Sequence, residues 1–361
     1  MKRTALFACI LLVSACGTAA TSSTTNPLSE TTITMAFTGD ILPHSPLVAR
    51  AQRNAQGFSP MFDDITPLIA SADLAICHLE TPIAPQGESL STFPFFGVPP
   101  TITNAIARAG FDRCSTASNH TYDRGVKGID ATVNALLANN VAQSGMARTP
   151  NEIEPQTFSV KGVTLSHLSY TFSYNGLTLP KDQEWRSALI DTDRILRDAR
   201  TSREMGADAV IVSMHWGRET QTDLSDFQLT NSDAITKSGL IDLVVGHHAH
   251  VVQKIEQVNG VWTIFGLSNL ISYLPTTDAF PNKTQDGMIV TTNITLNPDG
   301  SVQVEQPVVH PTWVDKYNGV VVRPILTDLV DPTTSEETKA ELAVSLERTR
   351  SVVGEFFPIT P

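Results

Sequence analysis

The chain has little of three things: cationic side chains, cysteines and long apolar runs. Its 361 residues contain 25 Lys and Arg against 37 Asp and Glu, which gives a formal net charge of -12. Sequence-indifferent nucleic-acid binding needs cations that displace counterions from phosphates, so no nucleic-acid partner is expected. With 41% hydrophobic and 17% charged residues, the composition is instead that of an ordinary globular protein with a sizeable core.

One apolar run, Ala5 to Val13, follows Lys2 and Arg3 at the N-terminus. It is too short to span a bilayer as a stable helix, so no permanent transmembrane anchor is expected. Charge, a short apolar core and small residues are typical of an export signal, here residues 1–16. Val13-Ser14-Ala15-Cys16 resembles the bacterial lipobox, which makes Cys16 the expected lipidation site and the extracytoplasmic face of the cell membrane the expected location. Cleavage near Ala20 with free secretion is the alternative.

Residues 17–33 are rich in Ser and Thr and predict a flexible tether, because they cannot bury enough apolar surface to fold. Of the four cysteines, Cys9 and Cys16 belong to the signal, which leaves Cys77 and Cys114 for the folded part. These two can pair in an oxidising compartment, but the sequence does not set their distance. A disulfide therefore stays open at this point.

Apolar, β-rich runs recur along the chain, and each ends in polar side chains. The five endings are Asp40, Glu80, Asn119 with His120, His215, and His247-His248-Ala249-His250. Segments with helical spacing lie between the runs, at 100–110, 129–137 and 195–205. The alternation predicts an α/β fold with a largely parallel sheet, whose functional residues gather at the carboxyl ends of the strands.

The last third of the chain shows a different pattern. Two hairpins are predicted over residues 254–266 and 287–309, the first because the pair Asn259-Gly260 suits a type I′ turn. A helix is predicted over Ser335 to Val352. This part is therefore expected to be mainly antiparallel.

Carboxylates and imidazoles with one amide oxygen make up the strand-end set. No thiolate is needed, so the set suits Mn²⁺, Fe²⁺ or Zn²⁺ better than a structural zinc cage. Two such ions close together can share a bridging carboxylate, activate a water and clamp the oxygens of a phosphoryl group. Two divalent metal ions are therefore the expected cofactors.

Six stretches in order resemble the CapA family of bacterial capsule and poly-γ-glutamate synthesis proteins, a branch of the calcineurin-like metallophosphoesterase superfamily. They are "FTGDILPH", "CHLETPI", "STASNHTYDRGVKG", "VSMHWGRE", "VVGHHAHVVQ" and "FGLSNL", between about Thr34 and Tyr273. The resemblance implies a four-layer α/β/β/α sandwich with mixed sheets and a metal site at the strand carboxyl ends. It also implies a domain over 34–316, followed by a C-terminal extension, 317–361, that contains a helix.

The resemblance implies a role for each matched position. Asp40 is expected on one metal, Glu80 between both, Asn119 and His215 on the second, with His248 and His250 divided between the two. His120 is expected to contact substrate and protonate the leaving oxygen, and Asp123 to accept the other ring N–H of His120. Ser268 and Asn269 are expected to line the site at most.

Three departures from the superfamily pattern bear on the site. The usual D-x-H histidine is Leu42 here, so one ligand is missing and His44 is the candidate replacement from the following loop. Glu80 stands for the bridging Asp, and His78 is a candidate additional ligand. His247 is the alternative to His248. On an extended backbone, however, His248 and His250 point the same way and His247 faces away.

Two functions of different classes fit these residues. The first is a metal-dependent hydrolase that cleaves a phosphoester or an amide during capsule or surface-polymer assembly, with His120 as general acid. Its substrate would be an anionic polymer or a phosphoester such as a nucleotide or a lipid-linked sugar phosphate. The second is a non-catalytic assembly factor that retains a metal site and holds polymer or partner synthesis proteins at the membrane.

Overall fold

The computed structural model describes residues 30–356. The expected signal, the expected lipidation site Cys16 and most of the predicted tether lie outside this range. The described residues contain fifteen strands. In chain order they are β1 (Thr31–Leu42), β2 (Leu74–Leu79), β3 (Arg113–Ser115), β4 (Ala142–Ser144), β5 (Thr157–Val160), β6 (Val163–Thr171), β7 (Ala209–His215), β8 (Leu243–His247), β9 (Ile255–Val258), β10 (Val261–Ile264), β11 (Asn269–Ser272), β12 (Asp286–Leu296), β13 (Val302–Val304), β14 (Val308–Asp315) and β15 (Val321–Pro324).

The helices alternate with the strands in the first two thirds of the chain and gather again at its end. They are α1 (Ser45–Arg53), α2 (Thr66–Ala70), α3 (Thr101–Arg108), α4 (Gly125–Ala138), α5 (Pro150–Ile153), α6 (Thr192–Glu204), α7 (Asp226–Thr236), α8 (Ile325–Val330) and α9 (Glu336–Val353). The three helices predicted from apolar spacing correspond to α3, α4 and α6. Helix α9 begins after Ser335, whose side chain accepts from the Thr338 N–H as an N-cap. Within the described residues, no helix is long and apolar enough to cross a membrane.

The strands form two mixed sheets. The first has the order β15-β14-β12-β1-β2-β3-β4, with β11 also paired to β1 and β13 to β12. Strands β1 to β4 are parallel, whereas β12 runs antiparallel to β1. The second sheet has the order β5-β6-β7-β8-β10-β9, parallel in its centre with antiparallel strands at both edges.

Each sheet is apolar on both faces, which explains the stacking of four layers. One buried cluster lies between the sheets and joins Phe37 and Ile76 of the first to Ile211 and Val245 of the second. A second cluster packs α1 and α3 on the outer face of the first sheet, and a third packs α6 and α7 on the outer face of the second. The α/β/β/α sandwich with mixed sheets is thereby confirmed.

Two expected boundaries differ from the structure. Strand β1 begins at Thr31 rather than after residue 33, because the β-branched residues Thr31 to Ile33 pair with Leu296 to Ile294 of β12. Residues 317–361 are not only an appended helix, since β15 pairs with β14 and extends the first sheet. The domain therefore continues beyond residue 316.

Candidate metal centre

The predicted strand ends of both sheets meet at one place. Asp40 lies near the end of β1, opposite His78 of the neighbouring β2, and the β1–β2 register shifts between Phe37 and Asp40. From the second sheet, His215 ends β7 and pairs with His247, the last residue of β8. Such ladder irregularities commonly re-aim side chains beside functional sites. The side chains of Asp40, Glu80 and His215 have no solvent exposure.

Asp40, Glu80 and His250 form a first set of candidate metal ligands. One ligand atom from each lies within 4.8 Å of the others. His250 Nδ1 is 3.3 Å from Asp40 Oδ2, and His250 Nε2 is 3.8 Å from Glu80 Oε1. Asp40 Oδ2 also accepts the backbone N–H of His248 at 3.1 Å.

Glu80 belongs to a second set as well, together with His215 and His248. His215 Nε2 is 3.9 Å from Glu80 Oε1 and 2.9 Å from Asn119 Oδ1. The amide oxygen of Asn119 therefore faces the same space as the second set. One buried carboxylate is shared by two neighbouring groups of donors, which is the arrangement that a bridging ligand requires.

The electrostatics of the two carboxylates differ. Burial alone would raise the pKa of Asp40, but the imidazoles of His247 and His250 hold it well below its usual value. Burial raises the pKa of Glu80 well above its usual value, against the opposing charge of His250. For His250, burial is outweighed by Glu80 and Asp40, which raise its pKa to about 10. Burial lowers the pKa of His248 to about 3.

Several buried polar atoms of this cluster lack hydrogen-bond partners within residues 30–356. They are Asp40 Oδ1, both carboxylate oxygens of Glu80, His247 Nδ1 and His248 Nδ1. Leaving such atoms unpaired costs about 1–3 kcal/mol each, more when the group is charged. Divalent cations would bind the lone pairs of these oxygen and nitrogen atoms. The residues therefore fit the expected metal ions.

His120 and Asp123 lie beside the cluster as a pair. His120 Nδ1 is 2.6 Å from Asp123 Oδ2, which also accepts the Phe96 backbone N–H at 2.7 Å. The Phe96 ring packs edge-on against the His120 ring, with centroids 4.7 Å apart. These contacts fix the ring through Nδ1, so that Nε2 is the nitrogen left for a proton transfer. The contact expected between Asp123 and His120 is present.

The prediction that His247 faces away from the site is wrong. Its Nδ1 lies 3.3 Å from Asp40 Oδ1, and Asp40, His78 and His247 form a further set of candidate ligands. The error comes from the backbone. Strand β8 ends at His247, and His248 and His250 have φ values of 89° and 55°, so alternation along an extended strand does not apply.

His78 and His44, the two candidate extra ligands, occupy different positions. His78 Nε2 is 2.9 Å from His215 Nδ1, and His78 Nδ1 is 2.7 Å from Ser115 Oγ. His78 thus contacts His215, in addition to its place in the set with Asp40 and His247. His44 belongs to no candidate ligand set found in residues 30–356; its Nδ1 lies 3.0 Å from the Leu42 carbonyl and its ring packs against Phe96.

The Cys77–Cys114 disulfide, which the sequence left open, is present beside His78. It joins residues paired in register on β2 and β3, and the next pair in that register is His78 with Ser115. The disulfide is therefore adjacent, along strands β2 and β3, to the residue pair whose side chains are hydrogen-bonded.

Ser268 and Asn269 hold other site residues in place. The Ser268 carbonyl accepts the Asp40 N–H at 2.9 Å, and a Cβ on the preceding Gly39 would lie 2.2 Å from that same oxygen. Only glycine permits this close approach. Asn269 Oδ1 lies 3.0 Å from His250 Nδ1, and the Asn269 amide donates to the Thr284 carbonyl at 2.9 Å.

Two residues near the site were missed from the sequence. Glu219 contributes to a set of candidate ligands with His248 and His250. Its signal was available, because it closes the stretch "VSMHWGRE" that contains His215. Asn175 lies in the loop after β6, and its Oδ1 accepts from the Asn119 amide at 3.2 Å. No local pattern marks Asn175.

Comparison with known proteins adds to this geometry. The family model "Bacterial capsule synthesis protein PGA_cap" matches residues 34–274. The PGA biosynthesis protein CapA of Bacillus subtilis is 23% identical over 286 residues, which are 78% of this chain and 73% of that protein. The capsule biosynthesis protein CapA of Bacillus anthracis is 23% identical over 247 residues, 66% of this chain and 59% of that protein. This chain thus spans less than two thirds of the second relative.

Similar solved structures have low sequence identity. The calcineurin-like phosphoesterase YfkN of Bacillus subtilis has a TM-score of 0.49 and 12% identity, and the match covers 89% of this chain and 99% of that one. A putative 5′-nucleotidase of Staphylococcus aureus has a TM-score of 0.49 and 14% identity, with 88% of this chain and 58% of that one covered.

Proposed function

Because the chain belongs to the bacterial capsule synthesis protein family PGA_cap, we propose that it is a hydrolase of capsule or surface-polymer assembly that depends on two divalent metal ions. The observation that carries the proposal is Glu80. This fully buried carboxylate is shared by two sets of donors and has no hydrogen-bond partner for either oxygen within the described residues. A structural carboxylate would have such partners.

Asp40, Glu80 and His250 would hold one ion, and Glu80, Asn119, His215 and His248 the other. When bound, the ions would lower the pKa of water and neutralise charge on the substrate oxygens. His120 would donate a proton from Nε2 to the leaving oxygen, and Asp123 would keep the ring oriented through Nδ1. Phe96 would exclude water from one side of that ring.

The substrate follows from the relatives only as a class. One relative is a PGA biosynthesis protein and the other a capsule biosynthesis protein. An anionic polymer with γ-linked amides contains no phosphate, so the bond cleaved would be a phosphoester of a precursor or an amide of the polymer. The partners would be other synthesis proteins at the membrane, where a lipid on Cys16 would hold the chain on the extracytoplasmic face.

A substrate screen with one matched pair of variants tests the proposal. The full chain, loaded with Mn²⁺ in detergent, is assayed on aryl phosphoesters and γ-glutamyl amides. We expect turnover by the wild type, and loss of turnover with full metal content in His120→Ala. His310→Ala is the control and should keep both, because His310 lies on β14 and its ring hydrogen-bonds with Thr291.

A non-catalytic assembly factor is the second candidate, and Leu42 favours it. The place of the D-x-H histidine holds a buried leucine, so the first ion would have only three protein side chains from the predicted set. If no divalent metal supports turnover but Asp40→Ala abolishes capsule in cells, the metal site serves binding and the hydrolase proposal fails.

A further inference from the structure

The two sets of metal donors are unequal. Glu80, His215, His248 and the Asn119 amide oxygen face the second position, whereas the first position has Asp40, Glu80 and His250. Leu42, where the missing histidine would lie, is 2% exposed and packs in the apolar cluster beneath β1. The first position therefore has three donors from the predicted set, and His247, whose Nδ1 lies 3.3 Å from Asp40 Oδ1, borders it as well.

Glu219 reaches this region from the loop after β7. It is exposed, and its carboxylate lies with His248 and His250 in a set whose ligand atoms are within 4.8 Å of one another. The loop is fixed against the histidine segment, because the Thr220 N–H donates to the Ala249 carbonyl at 2.7 Å. Thr220 has a φ of 62°, a conformation that is costly for a β-branched residue and is common where function constrains the backbone.

His78 is less suited than Glu219 to be the additional donor at the first position. The His78 and His247 rings are stacked 4.0 Å apart and only 13° from parallel, so their in-plane lone pairs cannot meet at one ion. Both ring nitrogens of His78 are also engaged, one with His215 and one with Ser115. Glu219 is exposed instead, so its carboxylate is accessible to an ion from solvent.

We propose that Glu219 is a further protein ligand of the first position, which it adjoins through His250, the residue shared with the set of Asp40 and Glu80. The inference rests on the metal pair of the proposed function. It also has a consequence for metal preference. Three carboxylates and one imidazole form an oxygen-rich site that suits Mn²⁺, whereas the second position, with two imidazoles, suits Zn²⁺ or Fe²⁺.

Metal binding without any substrate tests the role of Glu219. Chelator-stripped full chain is titrated calorimetrically with Mn²⁺, as wild type, Glu219→Gln and Glu204→Gln. Glu204 is also an exposed glutamate, at the end of α6, and serves as the control. We expect one of two equivalents to bind at least ~10-fold more weakly in Glu219→Gln alone, the lower end of the range for loss of a supporting partner. Unchanged binding of both equivalents would overturn the role.

High salt and Co²⁺ spectra separate ligation from attraction by charge. At about 1 M salt the Debye length is ~3 Å, so a purely electrostatic effect of an exposed carboxylate would vanish. We expect the difference in metal affinity between wild type and Glu219→Gln to persist at high salt. We also expect the visible bands of the Co²⁺ equivalent that the variant binds more weakly to change. Loss of the difference at high salt, or unchanged bands, would refute ligation. A wild type that binds both ions but hydrolyses nothing would contradict only the proposed function.

Discussion

His120 depends on Asp123 for its orientation, which makes Asp123→Asn an informative change. The amide would no longer accept the His120 N–H as a carboxylate does, so the tautomer and angle of the ring would be lost. We predict a fall in turnover of ~10–100-fold on whichever substrate the screen identifies, with metal content unchanged. Metal analysis of the variant beside its kinetics checks this, and a matching loss of metal would show that Asp123 supports the cluster rather than His120.

His44 predicts a pH dependence of stability. Burial lowers its pKa from 6.5 to about 4, so between these values the unfolded chain binds a proton that the folded chain does not. Stability from this group is present above pH 6.5 and is lost as the pH falls towards 4. The full effect is about 3 kcal/mol.

The variant His44→Gln isolates this effect. It also loses the contact with the Leu42 carbonyl, but that loss is the same at every pH. Urea unfolding of chelator-treated protein at pH 7 and pH 4.5 should give a steeper fall for the wild type than for the variant. An equal loss of unfolding free energy between pH 7 and pH 4.5 in wild type and variant would mean that the folded state does not keep His44 neutral.

At the scale of residues, the sequence predicted site residues wherever a polar, metal-binding side chain directly ends an apolar strand. Asp40, Glu80 and His215 could be predicted because each closes an apolar run, and all three lie together. The direction of His247 could not, because left-handed backbone at His248 and His250 is set by contacts with β1 and β11 that are distant in the sequence. Alternation applies only as far as the strand does.

At the scale of elements, the disulfide links two strands that carry site residues. Cys77 and Cys114 are separated by 37 residues, and closing a loop of that length in the unfolded chain is worth about 4 kcal/mol in the chain-entropy treatment. We predict that the double variant Cys77→Ala, Cys114→Ala has a free energy of unfolding lower by roughly that amount, and therefore unfolds at a lower denaturant concentration. Denaturation of the double variant, compared with oxidised wild type, measures this energy, and reduced wild type should resemble the double variant. Equal stability of oxidised and reduced wild type would contradict the prediction.

Helix α9 is fastened to the start of β12 by an ion pair between the buried Asp286 and the partly exposed Arg348. Asp286 is 3% exposed and accepts from Arg348 Nε at 2.6 Å and from Ser345 Oγ at 2.7 Å. Arg348→Met leaves this carboxylate without its cation, which should cost about 3 kcal/mol. Adding Asp286→Asn removes the unpaired charge, so the double variant should recover part of the loss. A double variant as unstable as the sum of the single changes would argue against the pairing.

Hairpins were predicted where a turn signal separates two strands, as at Asn259-Gly260. The β5–β6 hairpin was not predicted from the sequence. In the structure, Lys161 and Gly162 both have positive φ, as a two-residue I′ turn requires. Lys-Gly is a weak turn signal in sequence. The pairing of β6 with β7 then depends on contacts across 44 residues, from Leu165 to Ala209, which no local pattern encodes.

At the scale of the molecule, the candidate metal centre lies across the junction of the two sheets. Asp40 comes from the first sheet and Glu80 directly follows its strand β2, whereas His215, His248 and His250 come from the second sheet or the segment that follows it. The apolar layer between the sheets is non-directional, whereas a bridging ion would fix the position of one sheet relative to the other. Metal should therefore stabilise the whole sandwich, and not only the loops at the site.

Metal removal consequently predicts a global change in thermal stability. Binding to the folded state alone adds about 2.7 kcal/mol at a metal concentration of 100 times Kd, or roughly 5 °C in Tm for a chain of this size. Differential scanning calorimetry of chelator-treated chain, with and without Mn²⁺, should show one transition that moves upward as a whole. In Asp40→Ala the shift should shrink, because one of the two positions loses a ligand from the first sheet. A shift that affects only part of the transition would indicate that the ions order the loops without joining the sheets.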